Sequence, residues 1–485
     1  MKIRTKGKPF NKPLSNGLLL TTLVLLFTQC QVSDSEEILA TNEEILSTAT
    51  TDFDMSSTSQ LSGCDECDFI VNSYSTDGEQ LGIKPGDVIC LDAAVQYSKI
   101  VFRNIVGTRN EPVIIRNCGG VATVHSNSGF GIKFENSKDY KLIGDGSADQ
   151  YGIKVTTGKG FYITMEMFST DFEIARVEVA GLHPNGIGDR AGFAGIGVKT
   201  SPYQDCDLFT DPTRQAWIMR DVVIRDNYIH DTGGEGIYLG HGFYTGRKES
   251  KCPSVTYSHS IRNVKIYNNL IENVGYDGMQ IKNANQNVKV YNNVIRNYGT
   301  KNHSAHNEGL FIGEGTTGKF YNNIIDTGTG NGCQIQGIGN LDIYNNVFLK
   351  SGEYGIYGCH GAFVKRISNG YFNILNNTII EAEKAGFVFY NEDGGPKRFI
   401  NNVVSMSETL IKNGATLEEH HNILSNDLLG IGFNLNNLLG GNCKPEINFI
   451  GVDQGADLRA YGIYEDIENK PRPSGLAFDI GAYEQ

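Results

Sequence analysis

The residues best suited to chemistry stand at one recurring position, directly before a glycine that opens a short apolar run. They are three carboxylates and, in the next repeat, an amide: Glu235, Asp277, Glu308 and Asn331. Adjacent carboxylates repel one another unless the pKa of one member rises, which creates an acid–base or acid–nucleophile pair. A bound calcium ion would also resolve the repulsion, because calcium prefers oxygen ligands. A third interpretation is structural, since Asp and Asn often satisfy backbone groups at turns.

Other reactive side chains flank this position. Histidine, lysine, tyrosine and arginine can act as acid, base or charge neutraliser, although charged loop residues are often merely solvated. The catalytic candidates are Glu235, His241, Asp277, Lys282, His306 and Glu308, of which Glu235, Asp277 and Glu308 are also the candidate metal ligands. The candidates for substrate contact are Tyr238, Tyr244, Arg247, Gln280, Phe311, Tyr357 and His360.

The position recurs because the chain itself repeats. An aromatic or aliphatic residue, one or two Asn and two apolar residues return seven times, with the second Asn at Asn227, Asn269, Asn293, Asn323, Asn346, Asn377 and Asn402. A glycine follows nine residues later at Gly236, Gly278, Gly332, Gly355 and Gly386. A fixed period of this size indicates a repeat architecture. We expect the second Asn to form the left-handed turn and also to stack in a hydrogen-bonded column.

Each repeat contains two or three runs in which apolar and polar residues alternate, such as Val264–Tyr267 and Met279–Lys282. This alternation predicts strands with one buried face, and no helical spacing separates them. The sequence therefore predicts an all-β fold, a single-stranded right-handed parallel β-helix (a solenoid) with long loops on one face.

Insertions between repeats indicate where a site would lie, because stacking uses the coils themselves. Two sets of insertions, at about 199–217, 241–262 and 359–370 and at about 181–192 and 299–307, should form two walls. The groove floor would then be the strands that open with Gly, where outward aromatic residues either stack on sugar rings or form a ladder. Coils stacked about 4.8 Å apart match one sugar unit of an extended glycan.

From about residue 80 to residue 485, the chain resembles bacterial right-handed β-helix repeat proteins, many of which are polysaccharide lyases and glycoside hydrolases. Ile83–Ile89 is similar to the first coil of alginate lyases and chondroitinase B, and Phe478–Glu484 is similar to a terminal segment of secreted β-helix proteins. Asp277–Asn283 resembles the region that carries calcium carboxylates and a catalytic lysine in those lyases. This chain departs from that pattern at Met279 and Gln280.

The resemblance implies a protein that binds and cleaves an extended anionic polysaccharide, with β-elimination slightly favoured over hydrolysis and calcium as the possible cofactor. A non-catalytic glycan-binding or adhesive surface lipoprotein is the alternative. The formal charge of −13 argues against nucleic acid as a partner. We expect a monomer.

The N-terminal segments predict export. A basic, then apolar stretch over residues 1–29 is typical of a signal peptide, and Cys30 stands where a lipoprotein would be acylated. Residues 30–62 are rich in Ser, Thr and acidic residues and predict a disordered stalk before the β-helix domain at 63–485. We therefore expect an outer-membrane or cell-surface lipoprotein that meets the membrane only through its lipid. A periplasmic or secreted protein is the alternative.

Export also permits disulfides. Cys64–Cys67 and Cys206–Cys252 are possible pairs, and Cys333 falls at a core position of its strand.

Overall fold

The computed structural model describes residues 64–183, 192–358, 366–390, 392–439 and 442–485. The predicted signal peptide, the stalk and Cys30 lie outside the described residues, as do His360 and parts of the insertions at 181–192 and 359–370. Within the described part, no helix is long and apolar enough to cross a membrane.

Three long parallel sheets run the length of the molecule, and each turn of the chain adds one strand to each sheet. Sheet 1 contains β1 Phe69–Ile70, β3 Val88–Asp92, β6 Val113–Cys118, β9 Lys138–Ile143, β12 Thr170–Ala175, β15 Ile218–Arg225, β20 Ser260–Tyr267, β23 Ala284–Tyr291, β26 Gly318–Tyr321, β29 Leu341–Tyr344, β32 Phe372–Leu375, β35 Lys397–Ile400 and β38 Glu418–His420.

Sheet 2 contains β4 Gln96–Tyr97, β7 Ala122–Ser126, β10 Ile153–Thr157, β13 Val177–Ala180, β16 Tyr228–His230, β21 Leu270–Glu272, β24 Val294–Tyr298, β27 Ile324–Gly328, β30 Val347–Ser351, β33 Thr378–Ala382, β36 Val403–Ser405 and β39 Ile423–Leu424.

Sheet 3 contains β2 Ser75–Asp77, β5 Ile100–Arg103, β8 Phe130–Glu135, β11 Phe161–Glu166, β14 Ile196–Val198, β17 Ile237–Leu239, β22 Met279–Ile281, β25 Leu310–Ile312, β28 Cys333–Ile335, β31 Tyr354–Gly358, β34 Ala385–Phe389 and β37 Thr409–Asn413. Outside the sheets lie the hairpin of β18 Arg247–Lys248 and β19 Val255–Thr256, the helices α1 Gly78–Leu81 and α2 Leu435–Leu439, and the 3-10 turns Pro202–Gln204 and Arg459–Tyr461. The predicted right-handed parallel β-helix is confirmed.

The core fills the space between the three sheets. Alternate residues of each strand point inwards and are fully buried, as Ile237 and Leu239 of β17 and Ile271 of β21 show. Each such aliphatic side chain contributes roughly 1.5–3 kcal/mol on burial. Cys333 belongs to this core, as predicted.

The recurring glycine lies where sheets 2 and 3 approach closely. A Cβ atom on Gly278 would lie 2.3 Å from Cγ2 of Ile295 and 2.5 Å from the carbonyl oxygen of Gly309. The coil therefore has no room for a larger residue at this position, which explains why the glycine recurs in successive coils from Gly195 to Gly386.

The two asparagines at the corner between sheets 1 and 2 have separate roles. The first adopts the left-handed conformation, with φ of 55° at Asn268 and 54° at Asn292. The second forms the column: the Asn269 amide donates to Asn293 Oδ1 at 2.9 Å, and the Asn293 amide donates to Asn323 Oδ1 at 3.0 Å. The structural interpretation of the column is confirmed. The expectation that the same residue also forms the left-handed turn is wrong.

The disulfides confirm one predicted pair and correct the other. Cys206 bonds to Cys252 and joins two insertions. Cys64 bonds to Cys118 and Cys67 bonds to Cys90, so the predicted pair Cys64–Cys67 is wrong. The two cysteines instead face different coils, since Cys90 lies on β3 and Cys118 on β6, and the bonds fasten the first described segment to both.

The strands of the coils end at Leu424, and the later residues 456–466 return to contact the corners of earlier coils. Residues 453–485, called the strap here, cover the asparagine corner of several coils. The Asn345 amide donates to the Glu465 carbonyl at 2.7 Å, and the Asn401 amide donates to the Ala456 carbonyl at 2.9 Å. The strap thus satisfies corner amides of coils laid down far earlier in the chain.

Candidate functional site

The three carboxylates form the row that the repeat predicts. Tyr238, Gln280 and Phe311 are register partners in β17, β22 and β25, so the residues three positions earlier also lie in successive coils. Those residues are Glu235, Asp277 and Glu308, at the edge of sheet 3 that faces sheet 2. Their exposed fractions are 1%, 0% and 3%, so the row is buried.

Hydrogen bonds link Asp277 and Glu308 into a pair. The backbone N–H of Glu308 donates to Asp277 Oδ1 at 2.9 Å, and the backbone N–H of Asn307 donates to Glu308 Oε2 at 3.0 Å.

Burial is the main cause of the altered acidity in the row. It raises the pKa of Asp277 to about 7, with the charge of Glu235 adding to the effect. It raises the pKa of Glu308 well above its usual range, and Asp277 raises it further. Burial also raises the pKa of Glu235, against the opposing charge of His306. Carboxyl groups of this kind can hold a proton near neutral pH.

His306 reaches the row from the insertion at 299–307. Its Nδ1 atom lies 3.7 Å from Glu235 Oε1 and 3.8 Å from Asp277 Oδ2. The ring of Tyr276 stacks on the His306 ring at 5.3 Å and holds its plane. The structure therefore brings together Glu235, Asp277, Glu308 and His306 from the predicted catalytic set.

Lys282 joins the same cluster through an amide. The hydrogen-bond network orients the Gln280 side chain so that its nitrogen donates to Asp277 Oδ2 at 2.8 Å and its oxygen accepts from Lys282 Nζ at 2.9 Å. Lys282 is buried, and its Nζ lies 5.6 Å from the Phe311 ring centroid. Gln280 therefore links Asp277 to Lys282 through hydrogen bonds.

Sequence reasoning missed Lys199, whose Nζ lies 4.3 Å from the Tyr238 ring centroid. Lys199 follows Gly195 by four residues, as Lys282 follows Gly278, so both occupy the same repeat position two coils apart. Comparing offsets from the glycine could have identified it. Tyr276 was also missed, and no motif marks it.

The expectation of an exposed floor is wrong. Tyr238, Gln280, Phe311, Gln334 and Tyr357 do point away from the core in register, but their exposed fractions are 3%, 0%, 0%, 3% and 8%. Buried rings cannot stack on a sugar. Tyr238 and Phe311 instead receive the ammonium groups of Lys199 and Lys282, a favourable contact between a cation and a ring face.

The insertions after β14 and β17 form one wall, at the edge of sheet 3 opposite His306. Arg214 of the first insertion places its guanidinium 5.2 Å from the Tyr244 ring and donates to the Tyr244 carbonyl at 2.8 Å. Arg247 lies over Phe243 at 5.1 Å and pairs with Glu249 at 3.6 Å. Tyr244 and Arg247, which were predicted to contact substrate, therefore hold the wall together.

Two histidines are buried in that wall. The His241 ring lies 4.3 Å from the Phe243 ring, and its carbonyl accepts from the Asn283 amide. His259 accepts a hydrogen bond at Nε2 from the backbone N–H of Thr200 at 3.1 Å. Burial lowers the pKa of His259 to about 4, so it is neutral at physiological pH. His259 therefore fastens one insertion to the other.

The described donor set fits calcium poorly. Calcium takes about six to eight oxygen ligands, whereas the oxygens of Asp277 and Glu308 already accept from Gln280 and from two backbone N–H groups. Within the described part of the chain, Glu235 Oε2 is the carboxylate oxygen of the row that is buried without a hydrogen-bond partner.

Residues 257–429 match the family model described as right handed beta helix region. No curated protein matches the chain. Among solved structures, the chain is similar to pectate lyase Pel9A, with 12% identity, coverage of 86% of this chain and 97% of that one, and a TM-score of 0.44. It is also similar to the GH136 lacto-N-biosidase from Eubacterium ramulus, with 11% identity, coverage of 74% and 68%, and a TM-score of 0.42.

The alginate lyase from Paenibacillus sp. str. FPU-7 is 17% identical, with coverage of 60% of this chain and 98% of that one and a TM-score of 0.35.

Proposed function

We propose that the protein binds and cleaves an extended anionic polysaccharide, with β-elimination slightly favoured over hydrolysis. The observation that carries this proposal is the convergence of His306 on Glu235 and Asp277 at 3.7 and 3.8 Å, in a row that continues to Glu308. Clusters of buried carboxyl groups with an imidazole at their edge are typical of sites that move protons.

The basic groups around the row support an anionic substrate. Lys282 and Lys199 lie on the same sheet face, and both lower the pKa of Glu235 through their charge. Their positive charge would favour a carboxylate-bearing or sulfated sugar over a neutral one. Lysine and histidine are also suitable bases for removing the proton next to a uronate carboxylate.

We further propose that the chain is exported and anchored through a lipid on Cys30. The three disulfides among the described residues support an oxidising compartment, because such bonds are rare in the reducing cytosol. Mass spectrometry of the membrane fraction should find an acylated N-terminal cysteine at position 30, and an unmodified or uncleaved N-terminus would contradict the anchor.

A panel of polyuronates and sulfated glycans tests the reaction. Elimination produces an absorbing unsaturated uronate together with new reducing ends, whereas hydrolysis produces reducing ends alone. His306→Ala should abolish either signal, and His125→Ala should leave it unchanged, because His125 is exposed on β7 of sheet 2. Equal activity of the two variants would contradict the assignment of the site.

A non-catalytic glycan-binding protein is the second candidate. The burial of the three carboxyl groups favours this candidate, since they are at most 3% exposed and largely accept hydrogen bonds from protein donors. Retention of wild-type protein on a polyuronate column without any product would favour this candidate.

A further inference from the structure

We infer that Glu235, Asp277 and His306 bind a divalent transition-metal ion of the zinc or manganese class. Each residue offers one donor atom, and the three atoms lie within 4.8 Å of one another. The set differs from the three carboxylates expected from sequence, because a ring nitrogen replaces Glu308. The inference goes beyond the proposed cleavage and does not depend on it.

The first argument is distance. His306 Nδ1 lies 3.7 Å from Glu235 Oε1 and 3.8 Å from Asp277 Oδ2. Both separations exceed the upper limit of about 3.2 Å for a good N–H···O hydrogen bond. Two donors that each lie about 2.1 Å from one zinc ion can be at most about 4.2 Å apart. The separations therefore leave room for one ion between the donors.

The second argument is unsatisfied polarity. Among the described residues, His306 Nδ1 and Glu235 Oε2 are buried without a hydrogen-bond partner. Glu235 is 1% exposed, and a buried polar atom without a hydrogen bond costs free energy that an ion would recover. Both atoms belong to side chains of the cluster, so one ion bound there would compensate both residues.

The third argument is support around the donors. Glu308 and Gln280 hold Asp277 through hydrogen bonds, and the Tyr276 ring fixes the plane of His306. Metal ligands characteristically have such partners, which orient them before the ion binds. An imidazole nitrogen with two carboxylates suits zinc or manganese better than calcium, which prefers oxygen. A bound ion would supply positive charge beside an anionic sugar.

The test is metal binding by the full-length protein after chelator treatment. Zn²⁺, Mn²⁺ and Ca²⁺ are added separately, and bound metal is measured by equilibrium dialysis and elemental analysis, with thermal unfolding in parallel. We expect one equivalent of Zn²⁺ or Mn²⁺ and a higher melting temperature. Glu235→Gln and His306→Gln should lose both effects. Co²⁺ should give visible absorption bands that disappear in His306→Gln.

His303→Gln is the matched control. His303 lies in the same turn, with its ring 5.4 Å from that of His306, yet it is not one of the three clustered donors. It should bind metal like the wild type. Absence of stoichiometric binding, or Ca²⁺ binding that survives His306→Gln, would overturn the inference. Metal binding without turnover would instead count against the proposed function alone.

Discussion

Burial raises the pKa of Glu308 well above its usual range, and the neighbouring Asp277 raises it further, which favours the protonated form of Glu308. In this setting a neutral amide can replace the protonated carboxyl group with little change in shape. The same residue can therefore be essential for chemistry and nearly dispensable for folding.

We predict that Glu308→Gln abolishes turnover or glycan binding while changing the free energy of unfolding by less than about 1 kcal/mol. Glu308→Ala leaves the buried backbone N–H of Asn307 without its acceptor and should cost about 1–3 kcal/mol. Chemical denaturation and the glycan assay measure the two effects. A large stability loss in Glu308→Gln with ligand affinity intact would mean that the carboxylates only fasten the turn.

At the scale of the structural element, the two adjacent asparagines of one corner have different roles. Asn292 needs only a left-handed backbone, which glycine also adopts easily. Asn293 donates to Asn323 and to the Ile266 carbonyl, and it accepts from Asn269. The same substitution should therefore have different consequences at neighbouring positions.

We predict that Asn293→Gly destabilises the protein by about 2–4 kcal/mol, because buried donors and acceptors lose their partners. Asn292→Gly should be close to neutral. Thermal and urea unfolding of both variants measure the difference. Equal losses would refute the separate roles.

The hydrogen bond between Thr200 and His259, which joins the two insertions, should respond to pH. The pKa of His259 is about 4 in the folded protein, below its usual 6.5, so its contribution to stability is complete above pH 6.5. That contribution is lost as the pH falls from 6.5 towards 4. Protonation places hydrogen on both ring nitrogens, so His259 can no longer accept from Thr200.

Trp217, the single tryptophan, reports this change because its ring lies 4.7 Å from that of His259. We predict a fluorescence transition well below pH 6, which His259→Gln should remove. A midpoint near pH 6.5 would show that the imidazole is solvated.

The sequence predicted the strands and their register better than it predicted side-chain contacts. The spacing of Asn and Gly predicted the length of each coil. It also predicted that Glu235, Asp277 and Glu308 lie in one row, because the repeat period sets the register of successive strands. Burial of Phe311 could not be predicted, since it depends on tertiary contacts such as that with Lys282. The disulfide between Cys67 and Cys90 likewise depends on how the first described segment meets the coils.

At the scale of the whole molecule, a buried ion pair joins two segments of the strap. Arg472 Nη1 lies 3.3 Å from Glu484 Oε2, and both side chains are fully buried. Burial lowers the pKa of Arg472 to about 10 and raises the pKa of Glu484, so desolvation outweighs the attraction between them. The arginine also donates to the Asp479 and Gly481 carbonyls, which fixes the turn of the strap.

We predict that Arg472→Met costs about 3–5 kcal/mol, because it leaves a buried carboxylate without its partner. The double variant Arg472→Met, Glu484→Gln should lose less than Arg472→Met alone. Urea denaturation of the single and double variants gives the coupling energy. Strictly additive losses would show that the pair is not coupled.

The strap also sets an order for assembly. A growing solenoid can add coils one at a time, since each coil needs only its predecessor. The Asn322 amide, however, donates to the carbonyl of Asp466, 144 positions later in the chain, at 3.5 Å. The corner therefore stays open during synthesis until residues 453–485 have been made, and docking of the strap acts as a latch that closes it.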